Sequence, residues 1–162
     1  MCLRALEGLV RPEMRPDGRP PGRTLDLGTG SGILAIAAAR LGADRVLALD
    51  IDPQAVRAAR QNVANSGLTD VVEVREGTLG EEGGSPFDLI AANISGETIE
   101  RLAPAFARSL SPAGWLVVSG FLDASAEGLA RAFESAGLGV DQVLAEGDWR
   151  AIVARKPRPE DA

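Results

Sequence analysis

The segment Leu25-Asp26-Leu27-Gly28-Thr29-Gly30-Ser31-Gly32 constrains this chain more than any other. It reads as a buried strand that breaks into a glycine loop and then opens a helix from Gly32 to Leu41, with Gly42 as C-cap. About twenty residues further on, Leu47-Ala48-Leu49-Asp50 reads as a second buried strand ending on a carboxylate. Glycines let the backbone approach a ligand closely, a helix N-terminus presents free N–H groups, and an acid on the next strand accepts hydrogen bonds from ribose hydroxyls. The three features together predict a nucleotide-type pocket.

The rest of the chain continues the alternation. A short amphipathic helix is predicted over Met1 to Val10, followed by an exposed Pro/Gly/Arg-rich loop over Arg11 to Gly22. Strands are predicted at Thr24–Leu27, Val46–Asp50, Val71–Val74, Phe87–Ala92 and Trp115–Ser119, with a flexible stretch over Gly77–Ser85 and a turn at Ser111–Gly114. Asp52 is placed to cap a helix with Pro53 at its first position, running to about Asn65. Further helices cover about Glu97–Ser109, disturbed at Pro104, and about Ala124–Ala136. Two last strands, Val140–Ala145 and Arg150–Ala154, are close enough to form a hairpin. The pattern predicts an α/β fold: a Rossmann-like, doubly wound, seven-stranded sheet, mostly parallel with an antiparallel closing strand. Asp26–Gly32, Asp50, the loop after Val74 and Asn93 all fall at strand carboxyl ends, where such sheets bind ligands.

Composition narrows the chemistry. The 162 residues suit one domain, and no apolar run reaches membrane-spanning length. The single cysteine, Cys2, excludes an internal disulfide and a cysteine-based metal site, and no signal-peptide pattern is present, so a cytoplasmic location is expected. Histidine is absent, which removes histidine bases and histidine metal ligands, and no metal site is expected. No Gly-Lys-Ser/Thr sequence exists, which rules out a P-loop. The net charge of −6 disfavours direct nucleic-acid binding and suits a basic partner.

The glycine spacing selects among nucleotides. A dinucleotide fingerprint needs Gly-x-Gly-x-x-Gly, but Ile33 stands at its last position and the third glycine comes one residue early, at Gly32. The order Asp26-x-Gly28-x-Gly30-x-Gly32 resembles motif I of class I S-adenosylmethionine methyltransferases, whose ligand carries a ribose, an adenine, an amino-acid tail and a sulfonium. Asp50 is the expected ribose ligand; Asp52 is the competing acid, although its place before Pro53 suits an N-cap. Asn93, ending Phe87-Asp88-Leu89-Ile90-Ala91-Ala92-Asn93-Ile94, resembles the Asn of the Asn-Pro-Pro-Tyr motif of amine methyltransferases, without the Pro-Pro-Tyr.

A narrower resemblance follows. The glycine loop runs on through Ile33-Leu34-Ala35-Ile36-Ala37-Ala38 to Leu49-Asp50-Ile51-Asp52-Pro53-Gln54-Ala55; Ala92-Asn93-Ile94, Ser119-Gly120 and Glu146-Gly147-Asp148-Trp149 follow at fitting intervals. Over Met1 to Lys156 this is similar to the bacterial methyltransferases of ribosomal protein L11, the PrmA family. The resemblance implies S-adenosyl-L-methionine as cofactor and amino groups of a ribosomal protein as acceptor. It implies Asn93 as the catalytic residue and Asp26, Gly28, Thr29, Gly30, Gly32, Asp50, Ile51, Thr78 and Asn93 as cofactor contacts. For the adenine, Thr78 or a backbone N–H stands where the family often has an acid. It also implies a catalytic domain over residues 1–156; the tail over 157–162 is expected from its own composition to be disordered. The family's separate N-terminal recognition domain and a His-x-Thr-Thr segment are expected to be missing. A methyltransferase of other amines with this fold, or a non-catalytic S-adenosylmethionine-binding module, satisfies the same motifs.

Overall fold

A computed structural model describes residues 1–10, 20–80 and 85–161. In chain order the elements are α1 (Cys2–Val10), β1 (Arg23–Leu27), α2 (Ile33–Leu41), β2 (Arg45–Asp50), α3 (Pro53–Asn65), β3 (Val72–Glu76), β4 (Phe87–Asn93), α4 (Gly96–Ser109), β5 (Leu110–Leu122), α5 (Asp123–Ser135), β6 (Gly139–Glu146) and β7 (Trp149–Arg155). The seven strands form one sheet in the order β3-β2-β1-β4-β5-β7-β6. β3, β2, β1, β4 and β5 are mutually parallel; β7 runs antiparallel to both its neighbours, β5 and β6. The hairpin therefore folds back so that its second strand enters the sheet and its first becomes the edge.

Alternating side chains of the central strands serve two cores. Leu89 and Ala91 of β4 face α1, α2 and α3, packing with Leu6, Leu34, Val56 and Val63. Ile90 and Ala92 face α4 and α5, packing with Ile99, Phe106, Leu129 and Phe133. Strands buried on both faces carry continuous apolar runs, as Val46–Leu49 of β2 and Leu89–Ala92 of β4 do, whereas β1 alternates Thr24 and Asp26 with Leu25 and Leu27 and is buried all the same. Among the described residues no helix is long and apolar enough to cross a membrane.

Several predicted boundaries move, each for a visible reason. β3 continues two residues beyond Val74, because Arg75 and Glu76 pair with Leu49 and Asp50 of β2. β5 spans far more than Trp115–Ser119. Leu110 already pairs with Phe87, and Ser111 to Gly114 are looped out between that pair and Leu89–Trp115, so the predicted turn survives as a bulge inside the strand. α4 runs through Pro104, held by buried Ile99, Ala103 and Phe106. Residues 11–19 of the expected exposed loop lie outside the described residues. Its end is not free: Pro21 is buried, and the Gly22 and Arg23 N–H groups both donate to Asp88 Oδ2, at 3.0 and 3.1 Å. Residues 81–84 of the expected flexible stretch also lie outside, but Leu79 before them is buried in the core. In the tail expected to be disordered, Pro159–Asp161 form one 3-10 turn.

Candidate active site

The chain order reverses between β1 and β4: α2 and α3 lead outward to β2 and β3, after which the chain returns to the other side of β1. The carboxyl ends of β2, β1, β4 and β5 therefore stand side by side. They bring Asp50, the glycine loop, Asn93 and Ser119 together at one edge, where an open α/β sheet has a natural crevice.

The glycine loop is held from both sides. Gly28, Gly30 and Gly32 have φ of 70°, 55° and 85°, a region that side chains disfavour. Behind the loop, Asp26 is 1% exposed. Its Oδ2 accepts the Thr29 hydroxyl at 2.6 Å and the Ala35 N–H at 3.0 Å. The second bond matters because Gly32, the N-cap of α2, has no side chain to offer: Asp26 caps the helix from the neighbouring strand. Asp26 Oδ1 is buried with no hydrogen-bond partner. Burial pushes this carboxyl up to about 6, opposed by the two hydrogen bonds and reinforced by the charge of Asp50. Thr29 is likewise turned inward: its hydroxyl goes to Asp26 and its N–H to Leu49 O at 2.9 Å. Thr29 thus shapes the loop, its hydroxyl proton given to Asp26.

In front, Asp50 Oδ2 accepts the Gly30 N–H at 2.9 Å and Oδ1 the Asp52 N–H at 3.0 Å. A carboxylate oxygen has about two acceptor positions, so each keeps one open. Asp52 separates itself from Asp50 by its own bond, Oδ1 accepting the Gln54 N–H at 2.8 Å as the cap of α3. Ile51 between them is 75% exposed. Thr78, half-buried, follows Gly77, whose N–H donates to Asp50 O at 3.0 Å; the loop after β3 is thereby tied to the end of β2.

Asn93 is exposed at the end of β4, paired in register with Ser119 of β5, whose hydroxyl donates to Asn93 Oδ1 at 3.0 Å. Asn93 borders a cleft of about 650 Å³ whose other walls include Met1, with Cys2 and Leu3 of α1 just after it, Ile33 of α2 and Trp149 of β7. The first turn of α1 and Trp149 were not among the sequence-predicted site residues. The periodicity of Met1–Val10 indicates a buried face but not which end of the sheet its first turn meets. Among the described residues six large hydrophobic side chains are exposed: five of them, Leu3, Ile33, Ile51, Leu122 and Trp149, lie at this carboxyl edge. Three of them, Leu3, Ile33 and Trp149, line this one cleft.

Residues 1–157 match the family model described as ribosomal protein L11 methyltransferase (PrmA). The chain belongs to the PrmA family. It is 44% identical over 155 residues to the ribosomal protein L11 methyltransferase of Pelotomaculum thermopropionicum, covering 96% of this chain and 48% of that protein. The chain spans about half the length of the curated relatives it matches. Among solved structures, a ribosomal protein L11 methylase from Lactobacillus delbrueckii subsp. bulgaricus superposes with a TM-score of 0.79 at 32% identity, covering 95% of this chain and 77% of that one. An RNA methyltransferase from Salinibacter ruber, in complex with S-adenosyl-L-homocysteine, superposes with a TM-score of 0.73 at 25% identity, covering 96% and 90%. The PrmA chain described here therefore has the doubly wound methyltransferase fold that its motifs implied.

Proposed function

We propose that this PrmA chain binds S-adenosyl-L-methionine across the carboxyl edge of its sheet and transfers the methyl group to amino nitrogens of a ribosomal protein in the cytoplasm. The observation that carries the reading is the row formed by Asp50, the glycine loop and Asn93 on adjacent strands β2, β1 and β4. Two strand spacings separate Asp50 from Asn93, about 10 Å at the backbone, the scale of a nucleoside with a short arm. The residues present fit that ligand. Asp50 has one open acceptor position on each oxygen for the ribose hydroxyls, and exposed Ile51 offers an apolar surface to the adenine. Gly30 has open space where a side chain would stand. The acidic chain, at a net charge of −6, suits a basic ribosomal protein.

The cofactor supplies an electrophilic methyl on its sulfonium, so the protein need not activate it. When bound it would offer that methyl to a neutral amine, leaving as the demethylated thioether, and the methylated ammonium would give its extra proton to water. The chain's part is alignment and exclusion of water. Asn93 Oδ1 accepts an N–H of the incoming amine and aims the nitrogen lone pair. Leu3, Ile33 and Trp149 cover the aliphatic stem of the acceptor. No histidine exists to serve as a base, so above neutrality the rate rises with deprotonation of the acceptor, whose ordinary pKa is about 10.4 for a lysine.

Asn93→Ala tests this. Radiolabel transfer to purified ribosomal protein L11 should fall by roughly 10²-fold in kcat while calorimetric affinity for S-adenosyl-L-methionine stays within a few-fold, because alignment and not ground-state binding is lost. Turnover equal to the unaltered chain would refute the role of Asn93.

A further inference from the structure

Trp149 walls the candidate acceptor cleft, yet it is 53% exposed, so packing alone does not fix its indole. It opens β7 directly after the hairpin turn at Gly147 and Asp148, and loop tips are where local order is lost first. Side chains alternate along β7: Val153 packs with Leu6 of α1, whereas Ile152 and Ala154 pack with Leu129 and Phe133 of α5. Trp149 therefore falls on the α1 side of the sheet and Arg150 on the α5 side. There Arg150 ties the turn down at three points: Nη1 donates to Gly147 O at 2.6 Å and to Trp149 O at 2.9 Å, and Nε to Asp123 Oδ1 at 2.8 Å. Asp123, the first residue of α5, adds a further bond, its N–H donating to Asp148 O at 3.0 Å. The Arg150 side chain is 18% exposed against 70% for Asp123. An ion pair so exposed on one side is weak by itself; the bonds from the mostly buried guanidinium to the two carbonyls carry the rest. β5 is shaped to meet this arrangement. Ser119 pairs with Ala151 and Phe121 with Arg150, so Gly120, at a φ of 97°, is an extra residue in the strand. The bulge turns Phe121 into the core under α4 and α5, on the face that Arg150 occupies.

We propose that Arg150 is a positioning residue for the acceptor: it staples the β6–β7 turn to the start of α5 and thereby holds the Trp149 indole as a fixed wall of the cleft. The guanidinium lies on the opposite face of the sheet, so it brings no charge to the apolar walls while fixing the backbone on which Trp149 stands. Its planar fork is needed, because donors must reach two carbonyls and a carboxylate at once. An indole on a fixed backbone meets the aliphatic stem of an incoming amine without first losing freedom, so the acceptor is held more tightly. The contact is the same before and during methyl transfer, and it therefore acts on KM rather than kcat. The inference rests on the acceptor role proposed above for this cleft.

A fluorescence measurement and a transfer assay on this chain test the staple. Trp115→Phe leaves Trp149 as the sole tryptophan and keeps a ring beneath Arg155. In that background, time-resolved anisotropy should show the indole tumbling with the whole chain while Arg150 is present. Arg150→Met, which keeps an aliphatic stem and removes the donors, should add a local motion on the nanosecond scale. In methyl transfer to ribosomal protein L11, Arg150→Met should raise the KM for the acceptor roughly fivefold, with kcat and the KM for S-adenosyl-L-methionine within about twofold. Trp149→Ala should raise the acceptor KM at least as far, and Arg150→Met added to it should cause no further loss, since its effect passes through the missing indole. Should Arg150→Met fail to fold, Asp123→Ala removes one tie from an exposed position and should produce the same changes at smaller size. An indole that stays rigid without the staple, or an acceptor KM that does not move, overturns this inference and leaves the proposed function standing. A further loss in the double variant would show that Arg150 acts elsewhere and overturns it as well. No transfer by the unaltered chain would refute the proposed function and the acceptor role of Trp149 together, while the anisotropy still decides whether Arg150 fixes the indole.

Discussion

Asp26 should make the stability of this chain fall as pH rises through the mildly acidic range. In the unfolded chain its carboxyl ionises near the ordinary 3.8, whereas in the fold burial raises it to about 6. Between those values the folded state binds more protons than the unfolded one, so stability is full below about 3.8 and is lost as pH rises through about 6. About two pKa units at about 1.4 kcal/mol each give a loss of about 3 kcal/mol, without a solvent discount because the side chain is 1% exposed. Asp26→Asn removes this dependence and keeps the architecture. Its carbonyl oxygen can accept both the Thr29 hydroxyl and the Ala35 N–H, so α2 stays capped. Its NH₂ falls where Oδ1 has no partner, a pH-independent cost of about 1–3 kcal/mol. The absolute stabilities can thus cross, but their difference has a defined slope. Urea unfolding followed by the fluorescence of Trp115 and Trp149, for both chains at intervals from pH 4 to 7.5, should show the Asn variant gaining about 3 kcal/mol on the wild type over that range. Other carboxylates titrate in both chains and cancel in the subtraction. A difference that stays constant would refute the reasoning, since it would mean that Asp26 ionises inside the fold as easily as outside it.

The other sites give sharper contrasts. Asp50→Ala removes an acceptor for two ribose hydroxyls, each bond to a charged group worth roughly 1.5–3 kcal/mol, so calorimetry should find S-adenosyl-L-methionine bound at least tenfold more weakly. Asp52→Ala should leave that affinity nearly unchanged and cost about 1 kcal/mol of stability through the lost cap of α3; the reverse pattern would show that Asp52 is the ligand. Gly28→Ala and Gly30→Ala share a positive φ but differ in room. A Cβ at Gly28 would lie 2.3 Å from Ile94 Cγ2, while at Gly30 nothing stands within 4 Å. Thermal unfolding should therefore show Gly30→Ala losing about 1–2 kcal/mol from backbone strain alone and Gly28→Ala losing clearly more. Equal losses would mean that the clash at Ile94 relaxes freely.

The features legible in the sequence were those that backbone physics ties to short segments. A strand buried on both faces takes an apolar run, a loop at positive φ needs glycine, and a helix start needs a cap, so β2, the glycine loop and Asp52–Pro53 could be located residue by residue. What the pattern could not carry was direction. Asp26 and Asp50 are both acids at strand ends beside one loop. Yet one lies behind it, capping α2 at 1% exposure, while the other lies in front with acceptor positions open. Thr29, a ligand contact by family resemblance, gives its hydroxyl proton to the nearest buried carboxylate.

The same limit explains why half of the acceptor cleft went unread. Asn93 meets Ser119 only because β4 and β5 pair in one register, and that register depends on four residues, Ser111 to Gly114, looping out of β5. A slip of one residue would send Ser119 to the opposite face of the sheet and bring an apolar neighbour against the amide. Cys2 reaches the same point from the other end of the chain, on a helix whose periodicity predicts burial but not height along the sheet. The half of the site proposed for the cofactor is built from residues within one β-α-β unit, close in sequence, and is written there as a motif. The half proposed for the acceptor is assembled from α1, β4, β5 and β7, so it exists only once the sheet has closed. On that proposal, variation confined to those elements alters which amine is aligned while the glycine-loop motif stays intact.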